Sequence, residues 1–482
     1  MHLRRVLRLI GLLVFFLGLT MALALVVSVL YEEPSTWDIA VSMGITCGAG
    51  LILFLLTKGE EVSHLSQRDG VAIVSLGWFI AGAAGALPFL VSGSIDNFTD
   101  AYFESVSGFT TTGASILSDI EKLPKGILMW RSMIQWLGGM GIIVLSIAIL
   151  PFLGIGGMQL YKAEVPSPVV DKLKPRISDT AKVLWKVYIL FTGAQILLLL
   201  GGGMSLFDSV CHAFCTMPTG GFSPLNKSIA QYDSPYFDGV ITVFMILAAM
   251  NFSLHYRLMK GEVGIFGRDP ECRVFLILVG VLILLVTLDI YRSVYSSLTQ
   301  AFRYAAFQVS SLITTTGFVT ADYDTWPSLS KCLLVLSMFF GGMAGSTGGG
   351  IKTVRLIVMA KHAYEELFRI IHPHAVRAVQ RGGKPVPADV LSSIWGFFFL
   401  YLALYGVAAL ILAGLGMDVI SALSAVAACI FNVGPGLGSV GPTQNFLAVP
   451  FLGKWVLIIG MILGRLEIYT VIVLFMPEYW RK

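Results

Sequence analysis

Charged side chains are scarce in this sequence. Asp, Glu, Lys and Arg make up 13% of the 482 residues, whereas 56% are hydrophobic and the mean hydropathy is +0.80. A typical soluble domain carries about 25% charged residues. The deficit excludes an ordinary soluble protein and indicates a polytopic membrane protein, in which an apolar run of about 20 residues crosses about 30 Å of hydrocarbon.

Cysteine is also sparse, with six residues at Cys47, Cys211, Cys215, Cys272, Cys332 and Cys429. No cysteine forms a Cys-x-x-Cys pair or lies in a histidine-rich cluster, so neither a disulfide framework nor a zinc site is expected. The net charge of +4 is small and concentrated in a few loops. We interpret it as a signal of membrane topology, and nucleic acid is not an expected partner.

The first apolar run, residues 9–30, follows a basic N-terminus. It is longer than the apolar region of a signal peptide, so we expect a retained helix. A second apolar run follows at residues 37–57, and neither run is accompanied by the repeated motif that dominates the rest of the chain. Residues 1–69 are therefore predicted to form an appendage of two helices.

From residue 70 onward one arrangement recurs four times. A long apolar segment is followed by a short one, a glycine-containing stretch, a polar loop and a second long apolar segment, which indicates an internal repeat. The predicted units are residues 70–160, 161–260, 261–360 and 361–482, and the second and fourth units each begin with a cytoplasmic loop.

The short segments are too brief to cross a bilayer. They are predicted to be re-entrant helices whose non-helical ends lie inside protein, which is the geometry of a pore loop. The predicted short helices are residues 100–109, 207–215, 298–312 and 419–430. The predicted second long helices are residues 126–153, 237–254, 332–358 and 447–475, the third of them broken at 341–350.

The glycine-containing stretch of the first unit is Thr110-Thr111-Thr112-Gly113, which recurs at residues 314–317 and more loosely at 217–220 and 432–435. One such stretch would be an ordinary turn, but four in equivalent places favour a filter. A ring of backbone carbonyls replaces the water that a cation loses, and glycine lets the backbone aim them inward. The candidate ion-binding residues are Thr110, Thr111, Thr112, Gly113, Pro218, Thr219, Gly220, Thr315, Thr316, Gly317, Asn432, Val433 and Gly434.

Basic residues indicate how the chain crosses the membrane. They concentrate in the loops between repeats, on the side of the N-terminus, while the opposite loops hold mainly Lys122, Lys125 and Lys227. By the positive-inside rule both termini are cytoplasmic, and we expect ten spanning and four re-entrant helices. The basic loop residues include Lys162, Lys172, Lys174, Arg176, Lys182, Arg257, Lys260, Arg268, Arg273, Lys352, Arg355, Lys361, Arg369, Arg377, Arg381 and Lys384.

A run of small residues interrupts the last helix of the third repeat. Each glycine destabilises a helix by about 1 kcal/mol relative to alanine, and a membrane tolerates such a break where it lines a cavity or is buried in protein. A phosphate-binding loop is a competing interpretation, but Ile351 stands where that motif needs Lys, and no strand precedes it. The candidate residues are Gly341, Gly342, Gly345, Ser346, Thr347, Gly348, Gly349 and Gly350.

Ionisable residues inside apolar helices usually face a pathway or a partner. Arg465 and Glu467 lie in the last apolar segment, two positions apart, so they do not share a helix face. We expect Arg465 to face the pore beneath the filter as an electrostatic barrier and Glu467 to face a neighbouring helix.

Glu104 and Arg131 could form an ion pair behind the filter, and His212 is expected to be hydrogen-bonded and not a metal ligand.

These features resemble the Trk/Ktr/HKT potassium transporters, most closely the TrkH-type membrane subunits of bacterial potassium uptake systems. The resemblance covers essentially the whole chain and rests on the four filter glycines, the glycine runs at 138–141 and 154–158, the stretch 341–350, and Gly464-Arg465-Leu466-Glu467. It implies potassium selectivity, a gate formed by residues 341–350, and a pore-facing arginine at position 465.

The resemblance also implies partners and a location. The expected partners are a second copy of the chain, in a homodimer, and a cytoplasmic regulatory subunit of TrkA type that binds NAD or adenine nucleotides. No cofactor is expected in this chain, and K⁺ is the bound and transported ion. The expected location is the bacterial cytoplasmic (inner) membrane, with lipid around the helices.

The sequence therefore predicts an all-α polytopic membrane protein with four helix–pore-helix–helix repeats in pseudo-fourfold arrangement around a pore, plus two N-terminal helices. The expected function is potassium uptake through a four-loop carbonyl selectivity filter. A secondary carrier that couples K⁺ uptake to H⁺ or Na⁺ is the alternative, because discontinuous helices also build carrier sites. A membrane-embedded enzyme is not expected, since no nucleophile, base and metal set converges in the sequence.

Overall fold

The computed structural model describes residues 3–58, 66–148, 177–374, 377–381 and 384–481. Almost all of the regular structure is helical, which confirms the predicted all-α class, and one antiparallel hairpin joins β1 (Gln380–Arg381) to β2 (Lys384–Pro385). The helices are α1 (Leu3–Leu30), α2 (Thr36–Leu56), α3 (Gln67–Val91), α4 (Phe98–Phe109), α5 (Lys125–Ala148), α6 (Ile177–Gly201), α7 (Leu206–Thr216), α8 (Pro235–Ala249), α9 (Phe252–Met259), α10 (Ile265–Arg268), α11 (Pro270–Ile290), α12 (Leu298–Ile313), α13 (Ser328–Phe339), α14 (Thr353–Ile371), α15 (Ala388–Gly414), α16 (Val419–Ile430), α17 (Phe451–Arg465), α18 (Ile468–Ile472) and α19 (Pro477–Trp480).

Six of the described helices are long and apolar enough to cross a membrane: α1, α2, α3, α6, α11 and α15. The count rises to eight if α8 with α9, and α17 with the following segment to Phe475, are each one bent span. The two remaining predicted spans correspond to α5, which ends where the described residues end, and to α13, which precedes the glycine-rich break. Lys162, Lys172, Lys174, Arg176, residues 154–158 and the end of the predicted helix 126–153 lie outside the described residues.

The four short helices match their predicted limits. Helices α4, α7, α12 and α16 begin and end within two residues of the predicted segments. They contain 11 to 16 residues, so at 1.5 Å per residue they are about 17–24 Å long and cannot cross a bilayer. The side chains of Asn97, Ser205 and Asp418 accept backbone N–H groups and cap three of them.

Two helices that the sequence predicts as continuous, residues 237–254 and 447–475, are broken in the structure. The chain bends by 103° at the first break, where the Asn251 side chain caps the new helix α9. The second bend is 116° and falls at Glu467, whose φ of +63° ends a right-handed helix. Neither break is marked by a run of glycines, and apolar residues stand on both sides of Asn251 and of Glu467, so the sequence gives no clear signal for either bend.

The predicted break in the third repeat is confirmed. Helix α13 ends at Phe339, α14 begins at Thr353, and residues 341–350 are not helical. The ends of this segment are tied together, because Gly341 N–H donates to Ile351 O at 2.9 Å and Thr353 Oγ1 donates to Gly341 O at 2.9 Å. We call residues 341–350 the glycine-rich loop.

The two N-terminal helices pack against each other through glycines. A Cβ on Gly50 would lie 2.4 Å from Phe15 N, and a Cβ on Gly18 would lie 2.6 Å from Cys47 Sγ, so both positions require glycine for this close approach. Helix α1 also packs along α3 and α5. The appendage is therefore attached to the first repeat, while the residue limits assigned to the five units stay a prediction.

Candidate functional site

Each of the four short helices ends in a loop with the same unusual backbone. We call these loop 1 (residues 110–113), loop 2 (218–221), loop 3 (314–317) and loop 4 (431–434). A β-branched residue rarely adopts a positive φ, and such strain, of order 1–3 kcal/mol, is commonly held in place at functional sites. The second and fourth residues of every loop have positive φ: Thr111 (+51°) and Gly113 (+81°), Thr219 (+57°) and Gly221 (+76°), Thr315 (+61°) and Gly317 (+83°), Asn432 (+56°) and Gly434 (+103°).

Backbone hydrogen bonds show that the four loops are equivalent residue by residue. In each loop the N–H of the third residue donates to the carbonyl five positions earlier, in the last turn of the short helix. The bonds are Thr112 N to Ser107 O (2.8 Å), Gly220 N to Cys215 O (2.9 Å), Thr316 N to Ser311 O (2.8 Å) and Val433 N to Ala428 O (2.8 Å).

This equivalence corrects the alignment of loop 2. The sequence suggests Gly220 as the counterpart of the other three filter glycines, but Gly221 has the positive φ and Gly220 stands in the place of Thr112. Thr219-Gly220 matches Thr112-Gly113 in sequence, and this match predicts the first glycine of the pair. Gly221 is therefore a residue that the sequence analysis missed, although the adjacent second glycine was an available signal.

The four loops touch one another in a closed ring that follows the chain order. A Cβ on each glycine would lie closer than the 3.0 Å limit of real Cβ contacts to a carbonyl oxygen of the neighbouring loop, by about 1 Å in three loops and slightly in the fourth, and all four glycines have positive φ, so these positions favour glycine. The distances are 2.1 Å from Gly113 to Gly220 O, 1.9 Å from Gly221 to Thr316 O, 2.1 Å from Gly317 to Val433 O, and 2.8 Å from Gly434 to Thr112 O. The structure thus brings the candidate residues of all four repeats together.

Side-chain oxygens are distributed unequally around this ring. Loops 1 and 3 each contain two hydroxyls in contact, Thr110 with Thr112 and Thr314 with Thr316, both with oxygens 2.8 Å apart. Loops 2 and 4 lack such a pair because Gly220 and Val433 occupy the third position. In loop 4, Asn432 Nδ2 instead donates to Thr112 Oγ1 at 2.9 Å. The ring is therefore only pseudo-fourfold, as the sequence indicates.

The glycine-rich loop lies against loops 2 and 3. Thr219 Oγ1 donates to Thr347 O at 3.0 Å, and Thr347 Oγ1 donates to Met217 O at 2.9 Å. Gly349 N–H donates to Thr315 Oγ1 at 2.7 Å. Two of the threonines with positive φ are therefore hydrogen-bonded to the glycine-rich loop.

Arg465, the last residue of α17, is buried with 3% of its surface exposed. Its Nη1 donates to Thr347 O at 2.7 Å, so it contacts the glycine-rich loop. Within the part of the chain that the structure describes, its Nε and Nη2 atoms make no hydrogen bond and no carboxylate pairs with it. Its positive charge is thus buried without a compensating charge among these residues.

Glu467 faces a neighbouring helix, which confirms that prediction. Its carboxylate pairs with the guanidinium of Arg355 on α14, and both side chains are largely buried. Arg355 lies in the first turn of α14, shortly after the glycine-rich loop in the chain, so the pair links the last repeat to the helix that follows that loop. The sequence places Arg355 among the basic loop residues but does not predict its pairing with Glu467, since the partners are 112 residues apart.

Glu104 and Arg131 form the predicted ion pair. Glu104 Oε1 and Arg131 Nε are 2.7 Å apart, and both side chains are buried. Glu104 also accepts the N–H of Ile116 at 2.9 Å, and Arg131 donates to Ser223 O at 2.8 Å. The pair therefore holds the segments that follow loops 1 and 2.

Replacing Arg131 with methionine should destabilise the purified protein by about 3–5 kcal/mol, because the buried Glu104 loses its partner. The thermal unfolding midpoint in detergent measures this effect. Lys122→Met is the matched control, since its pair with Asp119, at 2.5 Å, is largely exposed and its loss should leave the midpoint unchanged. Equal midpoints for the two variants would contradict the structural role of the buried pair.

His212 is a hydrogen-bonded residue, as predicted. Its Nδ1 lies 2.8 Å from Asp208 O and its Nε2 lies 3.1 Å from Ser223 Oγ. No group of three or more His, Cys, Asp or Glu residues that could hold a metal ion exists within the described ranges.

Fold and site together define a polytopic helical membrane protein in which four equivalent loops meet in one ring. A sequence model of TrkH, described as a cation transport protein, matches residues 45–482. The chain is 42% identical over 486 aligned positions to the Trk system potassium uptake protein TrkH of Escherichia coli K12 and 38% identical to TrkG of the same organism, with 99–100% of each chain covered. The crystal structure of the potassium transporter TrkH from Vibrio parahaemolyticus matches with a TM-score of 0.92 and 39% identity over all of both chains. The chain belongs to the TrkH family of cation transport proteins, which are transporters and not enzymes.

Proposed function

We propose that this chain takes up potassium across the cytoplasmic membrane through the ring formed by loops 1 to 4. The observation that carries the proposal is the closed contact of four equivalent loops, each holding a glycine against the carbonyl of the next. Such a ring of oxygens can replace the hydration shell of a monovalent cation. The names of the relatives, potassium uptake protein and potassium transporter, support K⁺ as the ion.

The proposed filter consists of the residues identified in the sequence, with Gly221 added at the fourth position of loop 2. Backbone carbonyls supply most of the ion contacts in this proposal. Thr112 and Thr316 add hydroxyl oxygens that loops 2 and 4 lack at the same position. We therefore expect fewer well-formed ion sites than four identical loops would provide.

The proposed gate is the glycine-rich loop together with Arg465. The hydrogen bonds between this loop and Thr219 and Thr315 support the proposal, because a segment held against the ring obstructs an ion that leaves it. The bond from Arg465 to Thr347 adds a positive charge beside that segment. An uncompensated charge repels a passing cation, and the repulsion is strong where water is excluded.

We further propose a homodimer regulated by a cytoplasmic subunit of TrkA type that binds NAD or adenine nucleotides. The relatives are named as parts of a Trk system, which supports additional components. The proposed location is the bacterial inner membrane with both termini in the cytoplasm. The basic residues in the loops between repeats support this orientation.

Flux measurements in liposomes test the proposed function. The purified chain and its Arg465→Ala variant should pass K⁺ down a K⁺ gradient with no H⁺ or Na⁺ gradient present, as followed by a potassium-sensitive dye. If the flux depended strictly on a H⁺ or Na⁺ gradient, the chain would be a coupled carrier and not a channel. Absence of K⁺ flux in both proteins under every gradient would contradict potassium transport by this chain.

A further inference from the structure

Helix α5 of the first repeat presents one face to loop 2 of the second repeat. Arg131, Gln135 and Gly139 are four residues apart, so they lie along one side of the helix. Arg131 reaches Ser223 O beyond the loop. A Cβ on Gly139 would lie 2.4 Å from the Pro218 Cβ, so the helix passes close to the start of the loop.

Gln135, between these two residues, makes two hydrogen bonds to the backbone of loop 2 and the residue after it. Its Nε2 donates to Gly220 O at 2.7 Å, and its Oε1 accepts the N–H of Phe222 at 3.1 Å. The side chain has no exposed surface. Both ends of the amide are thus used to hold one turn of backbone.

Loops 1 and 3 each contain an internal hydroxyl contact that loop 2 lacks. In loops 1 and 3 the hydroxyl of the third residue contacts that of the first, which braces the loop from within. Gly220 has no side chain with which to do this, and Gly221 beside it has a left-handed backbone. Two adjacent glycines have the greatest backbone freedom of any dipeptide, so the amide of Gln135 replaces the missing internal contact.

The carbonyl that Gln135 holds is also a junction of the ring. Gly220 O is the atom that a Cβ on Gly113 would approach to 2.1 Å, so it lies directly against loop 1. Movement of this oxygen would change the contact between loop 1 and loop 2. The other three junction carbonyls belong to Thr112, Thr316 and Val433, and within the described residues none of them accepts a hydrogen bond from a side-chain amide.

We propose that Gln135 is a positioning residue for ion selectivity: by fixing the Gly220 carbonyl it sets the geometry of the ring between loops 1 and 2. The inference rests on the proposed potassium filter. In this proposal a residue of the first repeat fixes the backbone of loop 2, which belongs to the second repeat. Gln135 itself touches no ion and acts through the carbonyl that it holds.

The test compares potassium with sodium permeation in liposomes that contain wild-type protein or Gln135→Leu. The variant keeps a side chain of comparable volume but cannot hydrogen-bond, so K⁺ flux should persist while the K⁺/Na⁺ permeability ratio falls about tenfold, equivalent to about 1.4 kcal/mol. Gln195→Leu is the matched control. Gln195 is equally buried in the second repeat, but its Nε2 donates to the Thr216 hydroxyl at 2.8 Å and not to a loop carbonyl, so its ratio should stay at the wild-type value.

A second variant, Gln135→Met, keeps the unbranched shape of the side chain but has neither the donor to Gly220 O nor the acceptor for Phe222 N–H. It should also lower the ratio, and it serves as the deciding variant if Gln135→Leu does not elute as folded protein. An unchanged ratio in the folded variant, or an equal fall in Gln195→Leu, would overturn the role of Gln135. A wild-type protein that does not prefer K⁺ would instead contradict the proposed filter itself.

Discussion

Arg465→Ala should raise potassium flux through the purified chain by about tenfold to thirtyfold in the absence of other subunits. A fixed positive charge about 8 Å from a passing cation repels it by about 2 kcal/mol at an effective dielectric constant of about 20, and about 1.4 kcal/mol changes a rate tenfold. Because Arg465 has no carboxylate partner among the described residues, its charge is not cancelled locally. The substitution also removes the hydrogen bond to Thr347, which is one of several that hold the glycine-rich loop.

The measurement is the initial rate of K⁺ uptake into liposomes at equal protein density. Arg465→Lys is the matched control, since it retains the positive charge and should keep the flux near the wild-type rate. Equal rates for wild type and Arg465→Ala would remove Arg465 from the proposed gate. If lysine raised the flux as much as alanine, the hydrogen-bond geometry of arginine, and not its charge, would be the barrier.

Gly113→Ser should admit sodium and lower the K⁺/Na⁺ permeability ratio by about tenfold, equivalent to about 1.4 kcal/mol. Gly113 has a φ of +81°, and a Cβ at this position would lie 2.1 Å from Gly220 O. A serine can therefore be accommodated only if loops 1 and 2 move apart. Bi-ionic flux in liposomes measures the ratio. Gly221→Ser should have a similar effect, because its Cβ would lie 1.9 Å from Thr316 O.

Gly93→Ser separates the loss of selectivity from simple backbone strain. Gly93 has a comparable φ of +66°, but no atom lies within 4 Å of its Cβ position. It should therefore show a modest loss of stability with the wild-type ion ratio. An unchanged ratio in Gly113→Ser, or the same loss in Gly93→Ser, would show that contact within the ring does not determine discrimination.

Much of the fold could be predicted because its signals are local. The limits of the short helices follow from apolar runs bounded by polar caps, and the break in the third repeat follows from its glycines. The breaks at Asn251 and Glu467 could not be predicted in this way. They lie within apolar segments, and their bends depend on packing: the N–H of Phe252, next to Asn251, donates to Gly345 O of the glycine-rich loop, while Glu467 pairs with Arg355.

The positions of the four loops could be predicted from the sequence, apart from the register of loop 2. Three loops align on a single glycine, but the Gly220-Gly221 pair offers two registers that sequence similarity cannot separate. The choice depends on which glycine lies against loop 3, where the position of Gly221 leaves only 1.9 Å between a Cβ and Thr316 O. Gln135 could not be recognised either, because its partners are 85 and 87 residues away.

The amino-acid sequence by itself determined that this is a helical membrane protein, and it placed a glycine-containing loop after each of four short helices. These properties depend on hydrophobicity, segment length and backbone preference, which act over a few residues. Only the tertiary structure decided that Gly221 completes the ring, that the glycine-rich loop contacts Thr219 and Thr315, and that Arg465 contacts Thr347. Those contacts join distant parts of the chain, so they exist only once the four units have packed together.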